Sequence, residues 1–498
     1  MDCVLGLDLG TSSLKGVLYT FQGNVIASDS VPYDVIQPKD GYCEQNPLDW
    51  LRAVDRLFDA LMSRIPSTIH LKGIAVSGQM HSLVTLDHKN RVVRHAILWN
   101  DSRTTAQVKQ INREFGVELR SISKNRPLEG FTLPKILWMQ QEEPEQWNRV
   151  AHIMLPKDFL NWYLTGHIYT DYSDAAGTLL LDEERHCWSK EIGEKLSIQP
   201  QQLPEIKLSG TQIGILRSEL AQQYNINEPV KIFQGGADNA CAALGSGITD
   251  LHTALSSIGT SGVYLANDVR ARNNVESTMH VFNHVIKNRY YKMGVTLSAG
   301  SSLTWFQRAF YPDTSISELV TGIEKVPIGA NGLIFTPYLN GERTPLFDAD
   351  IRGALIGVDS CQNKLSVVRS IIEGITLSLK DSQQMIENEA SPQIKEVICV
   401  GGGARNRTWL QMQADVFNHP VRRLVSGEGP SLGAAILATY GLGIYDSLPA
   451  CVRHFVKYDE PIRPIPNNVE QYRRLFSVYK QVYGQTKHLS DRLQPFRR

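Results

Sequence analysis

The chain is short of several things, and each shortage removes a class of function. Its 498 residues set 51 Lys plus Arg against 51 Asp plus Glu, so no global field draws a polyanion or an acidic membrane surface. Nucleic acid and membrane are therefore not expected among its partners. Apolar runs such as 433–444 stop well before the roughly 18 residues that cross a bilayer. The opening Met1-Asp2-Cys3-Val4 has neither the basic start nor the unbroken apolar stretch of a secretion signal. The seven cysteines (Cys3, Cys43, Cys187, Cys241, Cys361, Cys399, Cys451) are odd in number and never spaced as CxxC. They read as reduced thiols, not as a zinc site or a disulfide framework. A cytoplasmic protein is the expectation. The phosphate-loop pattern GxxxxGK[ST] is also missing, so the nucleotide-binding folds built on it are the wrong comparison.

What is present suits a large enzyme. The length predicts at least two domains, and 42% hydrophobic with 20% charged residues is an ordinary globular balance. Residues 3–9 and 16–19 read as strands around Gly10-Thr11-Ser12-Ser13, and Asn46-Pro47 opens a helix whose Leu51, Val54, Leu57, Phe58, Leu61 and Met62 recur at helical spacing. A buried strand at 71–77 ends at Gly78-Gln79-Met80-His81. Alternation of this kind through residue 245 predicts an α/β domain with a largely parallel sheet. At 255–265 the opening plan returns: an apolar strand, Gly259-Thr260-Ser261, then a second strand. A period near 250 residues is too long for a solenoid and predicts two related domains, 1–250 and 251–498. Further on come a strand at 396–400, a glycine run at 401–403, helices from about Arg407 and from Ser431, and a surface helix over 469–489.

Three places carry chemistry. Asp8 stands at a strand end before Gly10-Thr11-Ser12, where small residues let backbone N–H groups approach phosphate oxygens. One such turn could be a plain hairpin, but its recurrence at Gly259-Thr260-Ser261 favours a phosphate clamp with one loop from each half. Asp238 follows a strand at 230–233 and the pair Gly235-Gly236. An isolated Asp there would most often cap a helix, yet ligands of open α/β sheets bind beyond strand ends and glycines clear room for them. Transfer of a phosphoryl group to an alcohol needs a carboxylate to take the hydroxyl proton, a metal on the phosphates, and donors around the γ-phosphate. Asp238, Asp8 and the two turns supply these parts. Gly401-Gly402-Gly403 would let a flat adenine lie against backbone, and a simple strand-to-helix turn explains it nearly as well.

These segments, with SGQMHSLVTLD (77–87), LPKDFLNWYLTG (155–166), GGADNACAALGSG (235–247), SSIGTSGV (256–263), PYLNGERTP (337–345) and VGGGARN (400–406), occur in an order and spacing that resemble the FGGY family of carbohydrate kinases, most of all its members acting on D-xylulose. The resemblance implies an α/β, actin-like ATPase (ribonuclease H-like) fold with two related domains around a nucleotide cleft. It implies ATP and Mg²⁺, sugar binding and catalysis in the first half, nucleotide binding in the second, and a terminal sugar hydroxyl as acceptor. By the same match Asp238 is the base; Met80, His81 and Asn239 touch sugar; and Asp8 lies by metal and phosphates. Thr11, Ser12, Gly259, Thr260, Gly300, Gly402, Gly403 and Asn406 line the nucleotide site. Ala237 stands where many members have glycine. The alternative within the family is a kinase for gluconate or for another ketose or polyol; the named sugar contacts include no Arg or Lys, which argues for a neutral sugar over gluconate. An actin-like chaperone would need no Met-His pair, and a DNA-binding regulator would need an added helix-turn-helix. Trp99, Trp138 and Trp305 read as packing residues. The roles of Lys157, Asp158 and Arg343 stay open, as does oligomeric state, a homodimer being among the options.

Overall fold

The computed structural model describes residues 1–66, 68–273, 277–389, 393–425 and 429–497. In the first half, strands β1 (Asp2–Leu9), β2 (Ser13–Thr20), β3 (Val25–Pro32), β4 (His70–Gly78), β5 (Gln212–Ile215) and β6 (Lys231–Ala237) form one sheet in the order β5-β6-β4-β1-β2-β3. The sheet is mixed, not largely parallel. β4 runs parallel to β1 and to β6, whereas β1–β2, β2–β3 and β5–β6 are antiparallel. For β1–β2–β3 the reason is connection length: short turns can only return a strand antiparallel, and parallel neighbours need a crossover. The first such crossover contains α1 (Pro47–Met62), whose first turn is capped by the Asn46 side chain accepting from Leu48 N. It buries Trp50, Ala53, Val54, Leu57, Phe58 and Leu61, while Leu51 and Met62 are half-buried at the edge of that face. Later come α2 (Thr132–Glu142), α3 (Pro156–Thr165), α4 (Tyr172–Ala176) and α5 (Asp238–Gly245).

The second half repeats the plan. Strands β7 (Thr253–Ile258), β8 (Gly262–Asp268), β9 (His280–Asn283), β10 (Tyr290–Thr296), β11 (Glu396–Gly401) and β12 (Val421–Arg423) pair in the order β9-β10-β8-β7-β11-β12. The hairpin β7–β8 with parallel neighbour β11 matches the hairpin β1–β2 with parallel neighbour β4. Helices α6 (Gly300–Phe310), α7 (Lys364–Glu389), α8 (Arg407–Phe417), α9 (Gly429–Gly441) and α10 (Pro466–Leu493) follow. None of the described helices is long and apolar enough to cross a membrane. α9 packs against β1, β4 and α5 of the first half. A Cβ on Gly433 would fall 2.0 Å from Cys241 O, and one on Gly6 would fall 1.9 Å from Ser431 O. Gly6 lets this helix meet the first sheet, and Gly433 lets it meet α5, backbone to backbone.

Candidate active site

β4 and β6 end side by side, and their ends deliver the reactive side chains. After Gly78 the chain bends, with His81 in the left-handed region at φ 68. After Ala237 the chain turns at once into α5, so Asp238 is the first residue of a helix, where the partial positive charge of the backbone favours an anion. Between the halves lies a cavity of ≈ 220 Å³ walled by Met80, His81, Trp99, Phe131, Asp238 and Asn239 from the first half and by Ser261, His280, Phe282 and Arg343 from the second. The structure thus brings four of the named sugar-side residues together.

Each is held by a specific partner. Asp238 Oδ1 accepts from the N–H of Asn239 at 2.7 Å and from Asn239 Nδ2 at 3.2 Å, and burial pushes its carboxyl up to about 6 against the pull of that backbone bond. His81 Nδ1 lies 2.7 Å from the Gly177 carbonyl, so Nδ1 carries the hydrogen and Nε2 is an acceptor. Burial drops its pKa to about 3, which keeps the ring neutral. A Cβ on Gly177 would come 2.9 Å from His81 Nδ1, so the bare backbone there makes room for the imidazole. Thr132 Oγ1 and Lys135 Nζ both donate to His81 O at 3.0 Å. Met80 Sδ receives Asn239 Nδ2 at 3.6 Å and Tyr291 OH at 3.7 Å. Ala237 is free of strain at φ −56, so the missing glycine leaves the approach to Asp238 intact.

Asp8, on β1 next to Ser77 of β4, carries a buried Oδ1 with no hydrogen-bond partner. Burial, and then the charge of Asp238, raise its carboxyl to about 7. An orphaned carboxylate oxygen is a cost that a cation would remove. Among the described residues no group of three His, Cys, Asp or Glu could hold a metal by itself. A Mg²⁺ at Asp8 would therefore take its other ligands from phosphates and water, the usual habit of this ion.

A second cavity, of ≈ 1280 Å³, lies wholly in the second half. Gly259, Thr260, Gly300, Gly402, Gly403 and Asn406 line it, as do Trp305, Arg308, Asn340 and Arg405. Gly300 N donates to Gly259 O at 2.8 Å, and a Cβ on Gly300 would reach 2.4 Å from that oxygen, so α6 starts in contact with the second turn only because residue 300 has no side chain. Asn406 Oδ1 accepts from Trp409 N at 3.0 Å and so caps α8 while facing the cavity. Thr11 and Ser12 do not reach this cavity, because their turn belongs to the first sheet. Thr11 Oγ1 accepts from Trp99 Nε1 at 2.8 Å and Thr11 O accepts from Gln45 Nε2 at 2.6 Å. The packing role expected of the three tryptophans holds for Trp138 alone. Trp138 is buried beside Arg103 and Arg94, whereas Trp99 faces the small cavity and Trp305 the large one.

Residues 3–245 match the N-terminal domain and residues 254–442 the C-terminal domain of the FGGY family of carbohydrate kinases. A xylulose kinase of Lactococcus lactis is 47% identical over 100% of this chain and 99% of its own. The chain belongs to the FGGY family of carbohydrate kinases. Among solved structures, a ligand-bound xylulose kinase from Lactobacillus acidophilus superposes with a TM-score of 0.93 at 26% identity, covering 98% of this chain and 99% of that one. A gluconate kinase from the same organism gives 0.92 at 27% identity over 97% and 98%, so overall shape does not separate the two sugars. This FGGY protein is a sugar kinase, a phosphotransferase that takes ATP as its phosphoryl donor.

Two features of this FGGY kinase escape sequence reasoning. Lys157, at the start of α3, is fully buried and paired with Asp158 at 2.5 Å, Asp171 at 3.1 Å and Asp174 at 3.3 Å. Burial disfavours its charge, but the three carboxylates outweigh burial and keep the amine protonated. Asp171 also accepts from Ser173 Oγ, and Ser173 Oγ in turn accepts from Ala237 N at 2.9 Å. The cluster thereby anchors the residue just before Asp238, and burial, with the charges of Asp158, Asp171 and Asp238 after it, raises the Asp174 carboxyl. Lys157-Asp158 is thus an interior ion cluster linked through Ser173 to the residue before Asp238. The other feature is Arg343, which reaches the small cavity from a loop of the second half, overturning the expectation of a sugar site without a cation. The motif GERTP shows the arginine but gives no hint of which wall it faces.

Proposed function

We infer that this kinase phosphorylates D-xylulose at its terminal C5 hydroxyl, giving D-xylulose 5-phosphate and ADP. The observation that carries the reading is the small cavity with a desolvated carboxylate, Asp238, at its wall, next to the turn Gly259-Thr260-Ser261, whose Ser261 faces this cavity and whose Gly259 and Thr260 face the large one. An acceptor hydroxyl and a γ-phosphate held in the two cavities meet at that turn. Asp238 takes the hydroxyl proton as the sugar oxygen bonds to the γ-phosphorus, and the bond to the β-phosphate oxygen breaks to release ADP. Met80, His81 and Asn239 orient the sugar. His81, neutral, accepts a hydroxyl hydrogen at Nε2. Gly259, Thr260, Gly300, Gly402, Gly403 and Asn406 hold the nucleotide, and Thr11 and Ser12 face the phosphates from the first half. Asp8 would hold Mg²⁺, which when bound offsets phosphate charge.

The sugar rests on the curated relatives, which are xylulose kinases along the full chain at 40–47% identity, and on a cavity sized for a small molecule. Because Arg343 reaches that cavity, charge alone no longer argues against gluconate, and only turnover decides between them. A cytoplasmic site of action fits seven cysteines that are all free. A coupled ADP-release assay against ketoses, aldoses, polyols and gluconate tests the reading. D-Xylulose is expected to give the highest kcat/KM, with the product phosphate on C5. A higher value for gluconate, glycerol or ribulose, or phosphate on C1, refutes it.

A further inference from the structure

The small cavity has a second wall that the phosphoryl-transfer chemistry leaves unused. It comes from the second half of the chain, with His280 and Phe282 on β9 and Arg343 in a loop. His280 is only 3% exposed, and its ring is stacked on Phe282 at 5.8 Å and tilted against Phe131 at 5.8 Å, so it is not free to turn. Its Nδ1 lies 3.3 Å from Asn125 Oδ1, which also accepts from Val281 N at 3.2 Å. The Asn125 amide cannot be turned round, because its Nδ2 donates to Ser123 O at 2.9 Å and to Val281 O at 2.6 Å. Oδ1 therefore only accepts, Nδ1 of His280 carries the hydrogen, and Nε2 is a bare lone pair. That Nε2 is buried with no hydrogen-bond partner.

Buried acceptors are rarely left unmet in a folded protein, and an unmet one beside a ligand cavity points to a donor on the ligand. Burial, reinforced by the charge of Arg343 and by His81, keeps His280 neutral, so protonation does not fill the lone pair. Arg343 is its complement. Guanidinium donates and cannot accept, and among the described residues Arg343 has no hydrogen-bonded acceptor for its side chain, only the more distant charges of Glu129 and Glu342. One wall of the cavity thus offers a fixed acceptor and a fork of donors, both awaiting partners.

We propose that His280 and Arg343 read the sugar on carbons remote from the acceptor hydroxyl, His280 Nε2 accepting a hydroxyl hydrogen and Arg343 donating to the carbonyl oxygen of the open-chain ketose. They are specificity-determining residues of the second half, set against Met80 and His81 of the first. The assignment rests on the kinase reading above; the His280 half holds for any sugar of this site, and the carbonyl contact of Arg343 holds for a ketose.

The test begins with the wild-type enzyme and a panel of ketoses, aldoses, polyols and gluconate. If D-xylulose is not the best substrate the sugar named above falls, and the wall is then tested with the sugar that is best. With that sugar, His280→Phe, which keeps a ring but removes the acceptor, is expected to lower kcat/KM by about 10- to 100-fold. The KM for ATP stays unchanged and His280→Gln recovers part of the loss. A series of monodeoxy analogues locates the contact: one deoxy position that is penalised in the wild type loses its penalty in His280→Phe. Arg343→Gln is expected to cost more than His280→Phe, because a charge-assisted bond is lost, and to weaken discrimination against the analogue lacking the carbonyl. Overturning results are a folded His280→Phe with every deoxy penalty intact, or a folded Arg343→Gln with undiminished sugar kcat/KM. If neither histidine variant folds, His280 is a packing residue and its half of the assignment fails; Arg343→Gln still decides the other half.

Discussion

The two Gly-Thr-Ser turns are built alike and loaded differently. In each, a glycine N–H returns to a carbonyl of its own turn, Gly10 N to Ser13 O at 3.1 Å and Gly259 N to Ser261 O at 3.0 Å. Each joins two antiparallel strands, the first of which has a parallel neighbour, β4 in one half and β11 in the other. Two residues before the glycine, however, the first turn has Asp8 and the second has Ser257. Asp8 is desolvated, unpaired at Oδ1 and raised to about 7, whereas Ser257 faces the cleft without charge. The backbone plan is doubled and the carboxylate is not. On the proposed function the anionic triphosphate supplies a reason: a cation bound at Asp8 would offset one carboxylate, while a second carboxylate at position 257 would repel the phosphates.

The comparison breaks most severely at Asp238, the proposed base, whose charge acts on Asp8. Asp238→Ala is expected to lower kcat by about 10²–10⁴-fold with ATP affinity nearly unchanged, as measured by turnover and nucleotide titration; near-normal turnover in the folded variant would remove Asp238 from the mechanism. In the interior ion cluster, Lys157→Met leaves three buried carboxylates without their cation, and a loss of about 3–5 kcal/mol in denaturant unfolding follows. A loss below about 1 kcal/mol would mean the cluster is not the anchor it looks to be.

Titration gives the next effect, and its sign differs between activity and stability. Asp238 must be ionised to take a proton and burial raises it to about 6, so kcat/KM should climb about tenfold per pH unit below 6 and level off above. For stability, a carboxyl raised on folding holds its proton more tightly in the folded than in the unfolded chain, where the value is about 3.9. Its contribution is therefore most favourable below pH 4 and is lost as pH rises through 6. Asp238→Asn should be inactive yet more stable at pH 8, by on the order of 2–3 kcal/mol; equal melting temperatures for the two proteins at pH 8 would argue against the raised pKa. The smallest effect sharpens the contrast directly. Ser257→Asp, which makes the second turn resemble the first, is expected to raise the KM for ATP about 5- to 10-fold through like-charge repulsion across the cleft, and an unchanged KM would show that the asymmetry of the turns does not matter.

Much of this was legible along the chain. Strand ends at Asp8, His81 and Asp238, the doubled turn, the Asn46 cap and the helix expected from Ser431, which begins two residues earlier at Gly429, all follow from local rules, and the structure has each of them. The misreadings share one cause, since they concern what lies across the fold from a residue. The sheet was expected to be largely parallel because alternating strands and helices suggest crossovers, but the hairpins β1–β2–β3 take half of it antiparallel. Trp99 and Trp305 look like core residues in sequence, yet each stands on a cavity wall.

The sequence by itself determined the reactive groups and the backbone freedom around them. A carboxylate that takes a proton, and a glycine that lets a phosphate or a helix come close, act through their own atoms and immediate neighbours. Only the tertiary structure decided which groups line the small cavity together. His280 and Arg343 lie far along the chain from Asp238, and nothing local distinguishes them from a satisfied core histidine and a solvated loop arginine. Their significance arises where β9 and a loop of the second half bring Nε2 and the guanidinium to a cavity between the halves, since desolvation and an unmet hydrogen bond are properties of a place and not of a residue type.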